Sequence, residues 1–273
     1  VHSRTIGNYK DGKNDREAVE GQNLKLTLDI ELQNYAEELM RNKRGALVAI
    51  EPKSGEILSI VSAPTYDPNI FSQRGESILQ LQRDTLKPLF NRALEAPYPP
   101  GSTFKPLMTL LALNEGYITE NYYYGCYGGY RLGRLTVGCH GHASAQNVQA
   151  AIQHSCNAYF CHLFKLFIEQ DTYDNVAEGL SSWQSYLNQF GLGVDLHHDL
   201  ASKARKGFVP GPQLYDRMYN GKPWRASMII SLGIGQGELG VTPLQLAHMT
   251  AIIANKGYYY YPHVVRPFRE SSN

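Results

Sequence analysis

The chain is poor in cysteine and tryptophan, has no excess of either charge, and contains no long apolar run. Four cysteines among 273 residues are too few to scaffold a chain of this size through disulfides. All of them, Cys126, Cys139, Cys156 and Cys161, fall within one short stretch, which fits a local bridge, buried thiols or a metal site and leaves the compartment undecided. Lysine and arginine number 26 against 25 aspartates and glutamates. No basic cluster follows a predicted face, so nothing points to nucleic acid. No segment approaches the roughly 18 apolar residues that a membrane span requires, and no signal peptide is present. The abrupt opening Val1-His2-Ser3-Arg4 reads as the start of a fragment, with an anchoring or targeting segment expected upstream. What is present is a globular composition, 42% hydrophobic and 19% charged, with material for one large domain or two small ones.

Periodicity divides the chain. Residues 1–22 are polar and turn-rich and read as a peripheral lead-in. The alternation over 23–28 predicts a strand, and Asp29 is placed to cap a helix through Leu32, Tyr35, Ala36, Leu39 and Met40. Two apolar runs, 46–50 and 57–61, flank Glu51-Pro52-Lys53-Ser54-Gly55-Glu56 and form the clearest predicted hairpin. A proline-rich loop then leads to Gly101, and the tyrosine- and glycine-rich stretch 117–141 reads as irregular. Helical spacing is expected on both sides of a break at His154-Ser155-Cys156-Asn157, again from Tyr173 to Phe190 with Gly191 as its stop, and after Thr242-Pro243 up to Asn255-Lys256-Gly257. The connection 192–224 is long and polar, which inside a domain suggests function or a surface path.

The stretch most suggestive of chemistry is Tyr98-Pro99-Pro100-Gly101-Ser102-Thr103-Phe104-Lys105-Pro106. If it is helical, Ser102 and Lys105 share a face within mutual reach. A serine hydroxyl needs a base to become a nucleophile, and a buried lysine kept neutral can supply one. A Ser-x-x-Lys match alone is expected about once by chance in a chain this long. Its position at a turn leading into an apolar helix carries the weight. Ser155-Cys156-Asn157 could aim a hydroxyl and an amide into a cleft, although Ser271-Ser272-Asn273 shows how cheap that pattern is. Gly235-Gln236-Gly237-Glu238-Leu239-Gly240 matches a dinucleotide fingerprint but lacks the acidic residue expected about 20 positions later, so it reads as a tight loop with close backbone packing. Cys126, Cys139, His140, His142 and Cys156 could supply zinc ligands, but without a Cys-x-x-Cys pair a disulfide or free thiols stay open beside zinc.

Together, the Ser102 and Ser155 motifs and the run from Gly235 through Thr242-Pro243-Leu244-Gln245-Leu246-Ala247 resemble, in order and spacing, the class B penicillin-binding proteins. Leu26-Thr27-Leu28-Asp29 and the 51–58 turn point to the elongation-type penicillin-binding protein 2 branch, and the likeness runs from about residue 20 to about 262. The resemblance implies an α+β penicillin-binding transpeptidase fold, related to serine β-lactamases, with a helical subdomain and an antiparallel sheet. Residues 1–22 would then lead in from a pedestal or anchor region, and 23–273 would be the transpeptidase domain. It implies a peptidoglycan D,D-transpeptidase acting outside the cell at the membrane without cofactor or metal, with D-Ala-D-Ala stem peptides as substrate, β-lactams as mimics and a membrane glycosyltransferase as a partner. Ser102 would be the nucleophile, Lys105 its base, Ser155 a proton relay and Asn157 a partner of Lys105 and of the substrate amide.

One departure qualifies these expectations. The family's third motif, Lys-Thr-Gly or Lys-Ser-Gly on a sheet-edge strand, should follow the Thr242 helix and does not occur there. Lys53-Ser54-Gly55 has the letters but precedes the nucleophile, in the predicted hairpin turn. The expected consequences are a domain cut short before its last sheet strands and a chain that, as it stands, is inactive or nearly so. The alternatives are a serine β-lactamase, for which no deacylating base is identifiable, and a non-catalytic β-lactam sensor or cell-wall scaffold.

Overall fold

The computed structural model describes residues 19–21, 23–72, 76–133, 135–200 and 204–266. Asp29 is extended and accepts hydrogen bonds from the Glu31 and Leu32 amides, opening helix α1 (Ile30–Leu39) by satisfying donors that lack a partner within the helix. Strands β1 (Gly45–Ile50) and β2 (Ile57–Ala63) pair antiparallel with a bulge at Ala49 and Ile50. Along β2, burial alternates, with Ile57, Ser59, Val61 and Ala63 facing inward. The strand expected over 23–28 contracts to a single bridge between Leu26 and Val265. There the chain only grazes the hairpin, and the Thr27 hydroxyl donates to the Ile57 carbonyl at 2.7 Å.

The proline-rich segment is more ordered than its composition suggests. It holds α2 (Glu76–Arg83) and α3 (Arg92–Glu95), and the buried Arg92 guanidinium donates to the carbonyls of Leu86, Lys87 and Phe90. Those bonds make a buried charge tolerable and fix the path of the loop. A 3₁₀ turn over Gly101–Phe104 runs directly into α4 (Lys105–Asn114). The stretch expected to be irregular contains a second hairpin, β3 (Gly129–Leu132) with β4 (Leu135–Gly138).

The break at 154–156 separates α5 (Val148–Gln153) from α6 (Asn157–Ile168). Helix α7 (Val176–Gln189) begins later than its pattern suggests because Asn175 caps it, and Gly191, at φ +79°, follows its end. The long connection carries α8 (Pro212–Met218). Thr242 and Gln245 form a reciprocal capping box at the start of α9 (Pro243–Ala254).

Helix α6 is the centre of the molecule. Eight of its residues, from Ala158 to Ile168, have no more than trace exposure, and a helix apolar on every side belongs in an interior. α4, α7, β3 and the 3₁₀ segment Ile230–Ile234 pack around it. Phe104 and Phe164 meet Trp183 of α7 edge-on, with ring centroids 5.9 and 5.4 Å apart. α3 and α9 pack on β1 instead, over a smaller apolar cluster that includes Ile57, Leu94 and Leu244. Among the described residues the two hairpins are the only sheets, so the sheet beside the helical body is the 45–63 hairpin.

Candidate active site

The turn carrying Ser102 is held from two sides. Tyr98 and Val241 exchange backbone hydrogen bonds, and the Gly101 amide donates to the Gly235 carbonyl at 2.8 Å. A Cβ on Gly235 would stand 2.3 Å from the Gly101 carbonyl oxygen, and the residue has φ +70°. Only glycine lets the two backbones approach so closely. The Gly235–Gly240 run is therefore a buttress for the Ser102 turn, matching the tight-loop reading of its sequence. The neighbouring Thr103 hydroxyl donates to the Pro100 carbonyl at 2.7 Å and stiffens the turn from within.

Ser102 is exposed, whereas Lys105, the first residue of α4, is buried. The Lys105 ammonium spends its three donors on Asn157 Oδ1 at 2.7 Å, the Ser155 carbonyl at 2.7 Å and Ser155 Oγ at 2.9 Å. Ser155 Oγ in turn donates to Ser102 Oγ at 2.8 Å. The Ser155 hydroxyl thus links Ser102 to Lys105 through two hydrogen bonds. A buried ammonium needs acceptors for all its donors, and the α5–α6 break offers three on one side. Burial holds the Lys105 amine below the ordinary lysine range, and the nearby Cys139, Cys156 and Cys161 sulfurs push the other way.

The break is built for this display. Ser155 has φ +47°, a left-handed conformation uncommon outside glycine. Cys156 is the N-cap of α6, its sulfur accepting from the Tyr159 amide, and this turns Asn157 towards Lys105. Asn157 Nδ2 donates to the Gly138 carbonyl at 2.8 Å. Sequence reasoning missed Gly138, because a carbonyl acceptor leaves no trace in residue type. All four expected residues, Ser102, Lys105, Ser155 and Asn157, therefore meet in one hydrogen-bonded chain. Lys53-Ser54-Gly55 lies in the β1–β2 turn with the backbone of residues 260–261 packed against Gly55, while the Ser271-Ser272-Asn273 match lies outside the described residues.

A profile of the penicillin-binding protein transpeptidase domain matches residues 45–271. The chain belongs to this family. It is 35% identical over 262 residues to the peptidoglycan D,D-transpeptidase MrdA of Acinetobacter baumannii, covering 92% of this chain and 36% of that protein. MrdA of Escherichia coli is 33% identical, with 90% and 38% covered, so the chain spans little more than a third of the length of these relatives. Among solved structures, Pseudomonas aeruginosa PBP2 in complex with WCK 5153 superposes at a TM-score of 0.77 with 32% identity, covering 90% of this chain and 52% of that one. A complex between PBP2 and MreC from Helicobacter pylori gives 0.76 at 29% identity, with 92% and 46% covered. These likenesses make the chain a class B, PBP2-type member and establish the penicillin-binding transpeptidase fold. No helix among the described residues is long and apolar enough to cross a membrane.

A second cluster adjoins the Ser102 site. The sulfurs of Cys126, Cys139 and Cys156 and a ring nitrogen of His142 all lie within 4.8 Å of one another, and all four cysteines are free thiols. His140 stays outside the group, its ring packing against that of His142. Of the alternatives that the sequence left open here, the free thiols match this arrangement, and the donor set suits a soft, tetrahedral cation.

Proposed function

We propose that this chain carries the acyl-transfer site of a peptidoglycan D,D-transpeptidase, with Ser102 as nucleophile, Lys105 as general base, Ser155 as relay and Asn157 as the residue that orients Lys105 and receives the substrate amide. The observation that supports this best is the unbroken path Lys105 Nζ, Ser155 Oγ, Ser102 Oγ, with steps of 2.9 and 2.8 Å. It joins a buried amine to an exposed hydroxyl.

The hydroxyl protons can rotate, so the path can run in either direction. Once Lys105 is neutral, the Ser102 proton passes through Ser155 to the amine, and Ser102 Oγ attacks the carbonyl of the penultimate D-alanine. The tetrahedral adduct collapses as its C–N bond breaks, and the departing D-alanine amine takes a proton back along the same path. The amine of a second stem then attacks the ester, gives a proton to the relay and leaves as the cross-linked amide while Ser102 regains its hydrogen. A β-lactam follows only the first half, because its ring nitrogen stays tethered to the acyl group. Without burial Lys105 would remain charged and could accept nothing. Lys105 is thus the pH-sensitive member: the rate rises as it loses its proton, and burial moves that limb below the usual lysine range.

The natural-length protein is read as anchored to the membrane by a segment preceding this domain, acting extracytoplasmically beside other cell-wall synthesis proteins such as a glycosyltransferase. Incubation of that protein with a pentapeptide stem and an amine acceptor should release D-alanine in step with cross-linked product, and Ser102→Ala should abolish both. Rapid turnover of a chromogenic cephalosporin would instead make the protein a β-lactamase and overturn the reading.

A further inference from the structure

The polar connection over 192–224 reaches the Ser102 turn through one side-chain contact. Tyr215, on α8, is buried, and its hydroxyl donates to Glu238 Oε2 at 2.9 Å. Glu238 lies in the 235–240 run, whose Gly235 carbonyl accepts from the Gly101 amide, one residue before Ser102. A buried phenol needs a partner for its hydroxyl, and a carboxylate is a strong one because the bond is charge-assisted. Burial pushes the Tyr215 phenol up, so it keeps its proton and acts as the donor.

The run needs such a contact. Gly235 and Gly237 both adopt left-handed backbone, at φ +70° and +74°, and a stretch with two such glycines has wide conformational freedom. Its start is tied by the Gln236 amide, which donates to the Ser231 carbonyl at 3.0 Å, and its end by Gly240 and Phe208, which exchange backbone bonds at 2.6 and 3.0 Å. Between those ties Gln236, Gly237 and Glu238 are exposed. The Glu238 bond is the one side-chain hydrogen bond of the run among the described residues. Its far end is firm. Tyr215 packs on Trp224 with ring centroids 5.3 Å apart, and Trp224 Nε1 donates to Asp216 Oδ1 at 2.8 Å. Gln184 of α7 donates to the Val209 carbonyl at 2.9 Å, just before α8, which itself packs on α7.

We propose that Tyr215 and Glu238 form a latch that fixes the 235–240 run and thereby sets the Ser102 turn against Ser155 and Lys105. The path leads from α7 through α8 and the Tyr215 hydroxyl to Glu238, then along the run to Gly235 and across its hydrogen bond to Gly101. Neither latch side chain hydrogen-bonds to Ser102, Lys105, Ser155 or Asn157, so both are positioning residues. The long connection, which as a sequence suggested either function or a surface path, is on this account functional. The effect of the latch on acyl transfer rests on the reading above, whereas its hold on the turn does not.

The test separates position from stability. Tyr215→Phe keeps the buried ring and removes only the hydroxyl, and Glu238→Gln keeps an acceptor that Glu238→Ala lacks. In the natural-length protein, stopped-flow labelling with a fluorescent penicillin resolves noncovalent binding from the first-order acylation step. Tyr215→Phe and Glu238→Ala should each slow that step about tenfold with little change in binding. The double variant should be no slower than either single one, and Glu238→Gln should recover most of the rate. Losses that multiply in the double variant, or a lowered melting temperature with an unchanged acylation step, would overturn the latch. Amide hydrogen exchange of the peptide spanning Gly101 and Ser102 gives a readout independent of the chemistry. It should quicken in Tyr215→Phe, and unchanged exchange would contradict the proposal. A wild-type protein that takes no label, with that quickening still seen in Tyr215→Phe, would refute the acyl-transfer reading while leaving the latch standing. Should Glu238→Ala not fold, Tyr215→Phe and Glu238→Gln carry the comparison: slowed labelling in the first and near-wild-type labelling in the second supports the latch, and equal rates contradict it.

Discussion

The helical body around α6 and the β1–β2 hairpin are built to different standards. In the first, α6 is buried on every side and its neighbours interlock through aromatic contacts at Trp183. In the second, every residue of β1 is half-buried, and only one of its edges is paired among the described residues. All four proposed catalytic side chains come from the helical body. The difference teaches that the proposed nucleophile, base and relay are positioned by close packing within one region, with none of them drawn from the hairpin. A hydrogen-bonded path that must hold steps below 3 Å belongs where packing leaves side chains least freedom.

That contrast can be broken most forcefully at the base. Lys105→Met keeps the buried stem but removes the proton acceptor, and it should slow penicillin acylation by about 10²–10⁴. Lys105→Arg should not restore the rate, since a guanidinium stays charged. Stopped-flow labelling measures both, and wild-type rates in either variant would refute the role of Lys105. In the core, Phe164→Ala should cost about 3–5 kcal/mol in denaturant unfolding. Val48→Ala in the half-buried strand should cost about 1 kcal/mol or less. Equal losses would dissolve the distinction between the two regions.

A pH titration adds a third test. Burial lowers His248 to about 4, and its ring meets Tyr259 edge-on. A folded-state value below the unfolded one means that its stabilising contribution is complete above about pH 6.5 and is lost as pH falls towards 4. The loss should reach about 3 kcal/mol at most, and His248→Gln should flatten the acid limb of thermal unfolding. A glycine pair supplies a further comparison. Gly235→Ala and Gly55→Ala each force a side chain into left-handed backbone, about 1–2 kcal/mol, and each Cβ meets a carbonyl oxygen, that of Gly101 at 2.3 Å or Tyr261 at 2.7 Å. Gly235→Ala should slow acylation as well as lower the melting temperature, whereas Gly55→Ala should lower the melting temperature alone.

Much of this was legible in the sequence, where local physics dictates residue type. Asp29 and Thr242 announce their helices because caps require particular side chains, and Gly191 marks a stop because left-handed backbone favours glycine. Ser102 and Ser155-Cys156-Asn157 stood out by their setting between turns and apolar helices. What stayed hidden depends on distant partners. The order of the proline-rich loop rests on Arg92 finding three carbonyls, β3–β4 is too short to show a period, and the insertion of Ser155 between Ser102 and Lys105 follows from acceptors about 50 residues away. The cysteine cluster lay between these cases: its side chains were visible, but not the pairing of β3 with β4 that brings Cys139 back beside Cys126.

The central claim is that Ser102 is the nucleophile of a site assembled within the helical body. Its most direct test is peptide mapping by mass spectrometry after the natural-length protein has been exposed to a penicillin. A single stoichiometric acyl adduct on Ser102, absent from Ser102→Ala, is the predicted result. An adduct on another residue, or undiminished labelling of Ser102→Ala, would contradict the account.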